Sequence, residues 1–325
     1  MKNSMNNISL IVPFFGKLPD YFKIFVKSLE HNPDIDVLLF TDQEYISPIK
    51  NLIVYPMTFE ELRKEFQAKF DFKIALDAPY KLCDYRPAFG YLFADYIKEY
   101  KFWGHVDIDL VLGNFRKFVT DELLKDNDKI YQHGHLCLYR NTEENNNVYK
   151  LDGGIDYRKV FSSNIGFVFD EIPGIQQICN KHKVATYRGW EFIDVSPWKY
   201  HMTRVTSHVP ENKLKDFDYL STCYFWEDGE IYRAYLKDGV IEYDTFLYLH
   251  FQKRNLKCAD IGDYNCRSFF ITNDGFIAKK PGMNLAVEDL DRYNISDIKK
   301  EKEYIRKKKK FQLKRRIRKY LFRKG

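Results

Sequence analysis

The first 70 residues switch between two periodicities, and that switching narrows the fold more than any other feature of the chain. Ile8-Ser-Leu-Ile-Val-Pro-Phe-Phe15 is a short, almost continuous apolar run closed by Gly16 and Pro19, the pattern of a buried strand. Over residues 20–31 the apolar positions become Tyr21, Phe22, Phe25, Val26 and Leu29, the three-and-four spacing of a helix. Val37–Phe40 reads as a second strand ending at Thr41-Asp42, and Leu52–Tyr55 as a third. Thr58-Phe-Glu-Glu61 forms a capping box that opens a helix to Ala68. Strand, helix, strand, strand, helix predicts an α/β fold, with a mostly parallel central sheet flanked by helices.

Further along, residues 80–99 carry a helical pattern that leads into an apolar strand, Phe102–Asp109. Residues 141–157 are polar and turn-rich and predict a mobile loop. Ile231–Tyr235 and Val240–Tyr243 flank Asp238-Gly239 as a hairpin, followed by a strand over Phe246–Phe251. From Ile298 the chain becomes a basic helix, so the expected organisation is one domain over 1–298 and a tail over 299–325.

Charge separates these two parts. The whole chain of 325 residues has a formal net charge of +6, yet residues 299–325 hold fifteen Lys/Arg against two Glu. The body is therefore mildly acidic and the end strongly basic. Ile305, Leu313, Ile317, Tyr320 and Leu321 recur there at helical spacings among the basic residues, predicting an amphipathic helix for an anionic membrane surface. Near such a surface each Lys or Arg contributes roughly 1 kcal/mol. No recognisable RNA module accompanies the tail, so nucleic acid is not the expected partner. Six cysteines occur without a Cys-x-x-C pair, which argues against a zinc ribbon or disulfide framework. No stretch reaches the ~18–20 apolar residues of a membrane span, and the expected location is the cytoplasm, peripheral on the inner face of the plasma membrane.

The candidate chemistry begins at Phe102-Trp-Gly-His-Val-Asp107-Ile-Asp109. In an extended segment the two carboxylates leave one face about 7 Å apart, and hard oxygens so placed suit a divalent cation that grips a diphosphate. His250 ends the apolar run Tyr248-Leu-His and is a candidate third ligand for Mn²⁺ or Mg²⁺. Lys253 and Arg254 follow as candidates to neutralise a departing phosphate. Ligands of α/β sheets lie beyond the carboxyl ends of strands, which nominates Pro13, Phe14, Phe15 and Gly16, then Thr41 and Asp42, for a donor nucleotide. Lys81, Asp84 and Arg86 are further donor-binding candidates, since a guanidinium suits bidentate contacts. His133, His135 and Arg140 beside the polar loop, with Glu191 and Asp194 near Trp190 and Trp198, are candidates for an acceptor wall. Asp170 and Glu171 end an apolar run, where one carboxylate can orient an acceptor hydroxyl or act as its base.

Taken in order, Cys83-Asp-Tyr-Arg-Pro-Ala-Phe-Gly90, the Phe102–Asp109 run, His135-Leu136, Tyr139-Arg140-Asn141, Phe169-Asp-Glu171 and His250-Phe-Gln-Lys253-Arg254 resemble a bacterial family of GT-A-fold glycosyltransferases of capsule and surface-polysaccharide synthesis. The resemblance spans residues 8–256. It implies a nucleotide-diphosphosugar-binding domain with Mn²⁺ or Mg²⁺ held through Asp107 and Asp109, Asp109 being the direct ligand. The His250…Lys253 element is similar to the metal-His and phosphate-Lys of glycogenin-like retaining enzymes, although their Gly-x-x-Lys-Pro-Trp continuation is absent. Both stereochemical outcomes stay open: an inverting enzyme would use Asp170 or Glu171 as base, a retaining one no protein base. The expected activity is hexosyl transfer from a UDP-sugar to a lipid-linked oligosaccharide. The rivals are a metal-dependent nucleotidyltransferase or phosphohydrolase using the same carboxylates, and a non-enzymatic membrane- or RNA-binding protein.

Overall fold

The computed structural model describes residues 7–206, 209, 221–252, 254, 256–260 and 266–321. In chain order the strands are β1 (Ile8–Pro13), β2 (Ile35–Thr41), β3 (Leu52–Pro56), β4 (Phe102–Val106), β5 (Leu110–Leu112), β6 (Lys129–His133), β7 (Leu136–Arg140) and β8 (Thr186–Tyr187). The second half adds β9 (Ile193–Asp194), β10 (Thr222–Glu227), β11 (Glu230–Lys237), β12 (Val240–Phe246), β13 (Tyr248–His250), β14 (Lys257–Asp260), β15 (Ser268–Ile271) and β16 (Gly275–Ala278). The chain packs as two compact units. The first comprises Met1–Phe22, Leu29–Ile108 and Phe115–Trp190, the second Lys23–Ser28, Asp109–Asn114 and Glu191–Gly325.

The first unit is built on a sheet of order β3-β2-β1-β4-β7-β6-β8. Strands β3, β2, β1 and β4 run parallel, but β7 is antiparallel to both β4 and β6. Every residue of β2 is buried, as expected of a strand covered on both faces. The helix Phe59–Ala68 starts at Thr58, whose side chain accepts from Glu61 N–H while Glu61 answers to the Thr58 N–H, so the capping box forms as expected. Residues 80–99, expected as one helix, are a chain of short helical turns from Pro79 to Ile97. Pro87, which lacks an N–H, sits in the first positions of one of these turns, Arg86–Ala88, where no intrahelical donor is needed. The polar stretch 141–157, expected as a loop, contains short helical segments: Thr142 caps a helix over Glu143–Asn147, and Asp156 caps another over Tyr157–Phe161.

The second unit carries a sheet of order β12-β11-β10-β15-β16-β14, antiparallel except for the β14–β16 pair. The expected hairpin is present, with Asp238 (φ 50°) and Gly239 (φ 82°) both in the left-handed region that a tight two-residue turn requires. One face of this sheet packs Cys223, Phe225, Ala234 and Phe270 against Leu290 of the helix Val287–Tyr293. A small third sheet, β5-β13-β9, lies in the same unit, and Trp226 pins it by donating from Nε1 to the Leu112 carbonyl at 3.0 Å. A helix over Ile298–Leu321 follows.

The protein is thus α/β with mixed sheets, which corrects the mostly parallel sheet expected from its first 70 residues. The difference arises where strands are joined tightly: β6–β7 and β11–β12 are hairpins, and hairpins can only be antiparallel. Among the described residues no helix is long and apolar enough to cross a membrane.

Candidate functional site

In the first unit the chain lays β2 and β3 on one side of β1, then returns to place β4 on the other. The carboxyl ends of β1 and β4 therefore border a topological switch point, where open α/β sheets bind ligands. Pro13 ends β1, and Phe14 N–H still bonds the Phe40 carbonyl at 2.8 Å. Gly16, at φ 92°, then turns its N–H onto Asp42 Oδ1 at 2.8 Å. That bond, above all other influences, draws the Asp42 pKa down and makes its carboxylate a brace for the β1 loop. Thr41 and Asp42 also border a groove of about 690 Å³ along with Gln43, Ile46, Val54 and Met57. Its volume falls in the range of small-molecule sites.

Beyond β4 the chain bends. The strand stops at Val106, Asp107 N–H passes to the His135 carbonyl at 2.9 Å, and Asp107-Ile108-Asp109 is not extended. The expected shared strand face of the two aspartates is therefore corrected. Asp107 instead faces Arg86, whose Nη2 donates to its Oδ1. Arg86 Nη1 donates to Asp170 Oδ2 at 3.0 Å and to the Gly134 carbonyl at 2.7 Å. One guanidinium thus ties β4, the β6–β7 turn and the 167–171 segment together. Asp170 is buried, and burial pushes its pKa up to about 7, with Arg86 pulling it back and the neighbouring Glu171 adding to the rise. A Cβ at Gly134 would come within 2.7 Å of Asp170 Oδ2, so glycine is what lets this backbone approach the carboxylate.

Lys81 and Asp84 point inward, which corrects their donor-binding reading. Lys81 Nζ bonds Asp84 Oδ2 at 2.8 Å and the Ile165 carbonyl at 2.7 Å. Asp84 also accepts the N–H groups of Phe167 and Phe169. Between those two residues Val168 sits at φ 58°, a strained conformation for a β-branched side chain. A buried carboxylate gripping the backbone on both sides is what holds that strain in place.

The second unit assembles a different constellation. β13 pairs antiparallel with β5 and parallel with β9, so His250 lies opposite Leu110 on one side and Asp194 on the other. His250 Nδ1 lies 2.9 Å from Asp194 Oδ1, and its Nε2 lies 3.2 Å from Asp109 Oδ1. Gln252 Nε2 donates to the same Asp194 oxygen at 2.6 Å. When a neutral ring donates its Nδ1–H to Asp194, the Nε2 lone pair turns toward a carboxylate oxygen, and two acceptors at 3.2 Å need a positive charge between them. A second proton on the ring supplies one; a metal ion supplies another. Cis ligands each ~2.1 Å from one ion stand ~3 Å apart, which matches this spacing. Imidazole plus carboxylate, with a carboxylate behind the imidazole, is a donor set able to hold a divalent transition-metal ion.

This corrects Asp194 from acceptor contact to orienting partner of His250. Sequence reasoning missed that role, and missed Gln252, because a two-residue strand paired 56 positions away leaves no local signal. Arg140 is also corrected. It lies opposite Phe102 at the start of β4, and its guanidinium is taken by Asp128 and by the carbonyls of Leu124, Lys125 and Asn127. Arg254 donates through its Nη atoms to the carbonyls of Ser196, Lys199 and Tyr200. His133 and His135 are buried with rings stacked at 5.5 Å. Tyr131, at φ 67°, makes the bulge that precedes them. Glu191 is half-buried and its carbonyl accepts Leu247 N–H at 2.7 Å. Lys253 lies outside the described residues.

Fold and site together define an α/β protein with a sheet switch point in one unit and a carboxylate-backed imidazole in the other. The chain belongs to DUF6625, a family of unknown function matched over residues 10–280. No curated protein matches it.

Proposed function

We propose that the protein is a cation-dependent hexosyltransferase of GT-A type, moving a sugar from a nucleotide diphosphate, a UDP-sugar, to a lipid-linked oligosaccharide of capsule or surface-polysaccharide synthesis. The observation that carries this reading is the Asp109–His250 pair, which calls for a positive charge at 3.2 Å spacing and has Asp194 to orient it. The β3-β2-β1-β4 order supports it, since that order sets the Pro13–Gly16 loop and the Thr41–Asp42 groove at the carboxyl ends of the strands.

In this reading Asp109 and His250 hold Mn²⁺ or Mg²⁺, which supplies charge stabilisation to the departing diphosphate. Asp194 keeps the Nδ1 proton and so leaves Nε2 to the cation. Within the first unit, the Pro13–Gly16 loop, braced by Asp42, is the candidate for nucleotide contact. Asp170, salt-bridged to Arg86 and buried, is a poor general base in this arrangement. Glu171 is the stronger of the two candidates if the reaction inverts.

The test combines binding and product. Mn²⁺ together with one UDP-sugar should raise the melting temperature of the full chain, because ligands selective for the folded state stabilise it. Asp109→Asn and His250→Gln should abolish that joint shift. Turnover should release a nucleoside diphosphate. Release of pyrophosphate would instead favour a nucleotidyltransferase, and absence of any cation-dependent shift would overturn the site.

A further inference from the structure

The helix Ile298–Leu321 has two faces with different fates. One stripe, Lys300, Tyr304 and Phe311, clasps the body of its own unit. Lys300 Nζ bonds the Tyr200 hydroxyl at 2.7 Å and Asp274 at 2.8 Å. Tyr304 packs on Tyr200 and lies under the Arg254 guanidinium, and Phe311 packs on Trp198 with ring centroids 5.1 Å apart. Glu301 adds a bond from His201 N–H at 2.8 Å.

At about 100° per residue, Ile298, Lys302, Ile305, Arg306, Lys309 and Leu313 fall together on an arc turned away from that stripe. Their apolar members are open to solvent: Ile298 is 77% exposed, Ile305 47% and Leu313 59%. Residues 298–313 hold seven Lys and one Arg against two Glu.

We propose that this outer face docks on an anionic lipid bilayer. Ile298, Ile305 and Leu313 enter the headgroup boundary while the flanking Lys and Arg extend their stems along it to reach lipid phosphates. The interleaving of the two chemistries on one arc selects the partner. A bilayer offers an anionic layer above an apolar one, and so receives both. A nucleic acid backbone would engage the charges and leave three aliphatic side chains in water. The aromatic rings of this stretch, which could stack on bases, are turned to the clasp instead. The clasp fixes the rotation of the helix, so the membrane-facing arc is set before any lipid is met. This inference is independent of the catalytic reading.

The test is co-sedimentation of the full-length protein with phosphatidylcholine vesicles, with and without phosphatidylglycerol. Binding is expected only with the anionic lipid. Ile305→Asn combined with Leu313→Asn should weaken it about tenfold or more, as should Lys302→Glu combined with Lys309→Glu. All four positions are exposed or lie outside the clasp, so circular dichroism should match the parent. The two pairs probe the same arc through unrelated chemistry, so a folding defect in one leaves the other decisive. Equal binding to neutral vesicles would overturn the proposal. So would parental affinity in either double variant, or retention of a polyuridylate oligomer by a protein that ignores anionic vesicles.

Discussion

Asp194→Asn exchanges a single oxygen for an amide nitrogen, and the geometry around His250 makes that exchange consequential. In the parent, Asp194 Oδ1 lies 2.9 Å from His250 Nδ1 and accepts from Gln252 at 2.6 Å, in a site only 5% exposed. In the cation-bound reading, the negative charge keeps the proton on Nδ1 and raises the basicity of Nε2, the atom that faces Asp109. Asn can keep its carbonyl in place but brings no charge. It can also flip, and its NH₂ would then demand an unprotonated Nδ1 and so place the proton on Nε2. Loss of such an outer partner typically weakens a metal site ten- to a hundredfold, equivalent to about 1.4–2.7 kcal/mol.

Isothermal titration of the full chain with Mn²⁺ measures this directly, and a melting curve in chelator separates it from stability. Asp194→Asn should lower Mn²⁺ affinity within that range and leave the chelated melting temperature close to the parent's. Asp194→Ala should go further, since it strands the Gln252 amide and the Nδ1 proton in a buried site at about 1–3 kcal/mol each. If His250 is instead an imidazolium held between two carboxylates, Asp194→Asn would destabilise the chelated protein and leave Mn²⁺ binding unmoved. Unchanged Mn²⁺ affinity would refute the argument.

Two further outcomes follow from the first unit. Asp84→Ala leaves the Lys81 ammonium buried without its carboxylate and frees the backbone beside the strained Val168, so urea unfolding should show a loss of about 3–5 kcal/mol, and an undisturbed midpoint would remove Asp84 from its bracing role. Asp170 has a folded pKa of about 7 against an unfolded value of about 3.9, so the folded state holds a proton that the unfolded state lacks between those values. Its contribution to stability is full below about pH 4 and is lost as the pH rises through about 7. Asp170→Asn, which mimics the protonated form, should therefore gain on the parent between pH 5 and pH 8 in urea titrations.

Local signals carried over from sequence to structure, and long-range ones did not. The Thr58–Glu61 cap, the Asp238-Gly239 turn and the start of the terminal helix each depend on residues within one turn of one another, and each appears where expected. Phe102–Asp109 reads as a single strand because hydrophobic alternation cannot show where a ladder ends. β4 finds partners in β1 and β7 only as far as Val106, and the next three-residue strand joins a different sheet. Lys81, Asp84, Arg140 and Arg254 are chemically plausible ligand contacts, yet backbone groups and neighbouring charged side chains engage them. A charge near an expected site says nothing of whether backbone groups will reach it first. Thr142 caps a short helix that the polar, turn-rich composition of 141–157 hid.

The two aspartates of the Asp-x-Asp motif also part company electrostatically, which spacing alone could not reveal. The division of the chain falls between Ile108 and Asp109. Asp107 stays with the first unit and is neutralised there by Arg86, which has its own second carboxylate in Asp170. Asp109 begins the Asp109–Asn114 segment of the second unit, where its carbonyl accepts Phe251 N–H at 3.0 Å and its carboxylate meets His250. A carboxylate already matched by a guanidinium gains little from a cation, whereas one facing an imidazole gains more wherever that imidazole is neutral with its proton on Nδ1. The two carboxylates therefore have different partners, Arg86 for Asp107 and His250 for Asp109, and under the proposed reading the loss of cation affinity should be larger for Asp109→Asn than for Asp107→Asn.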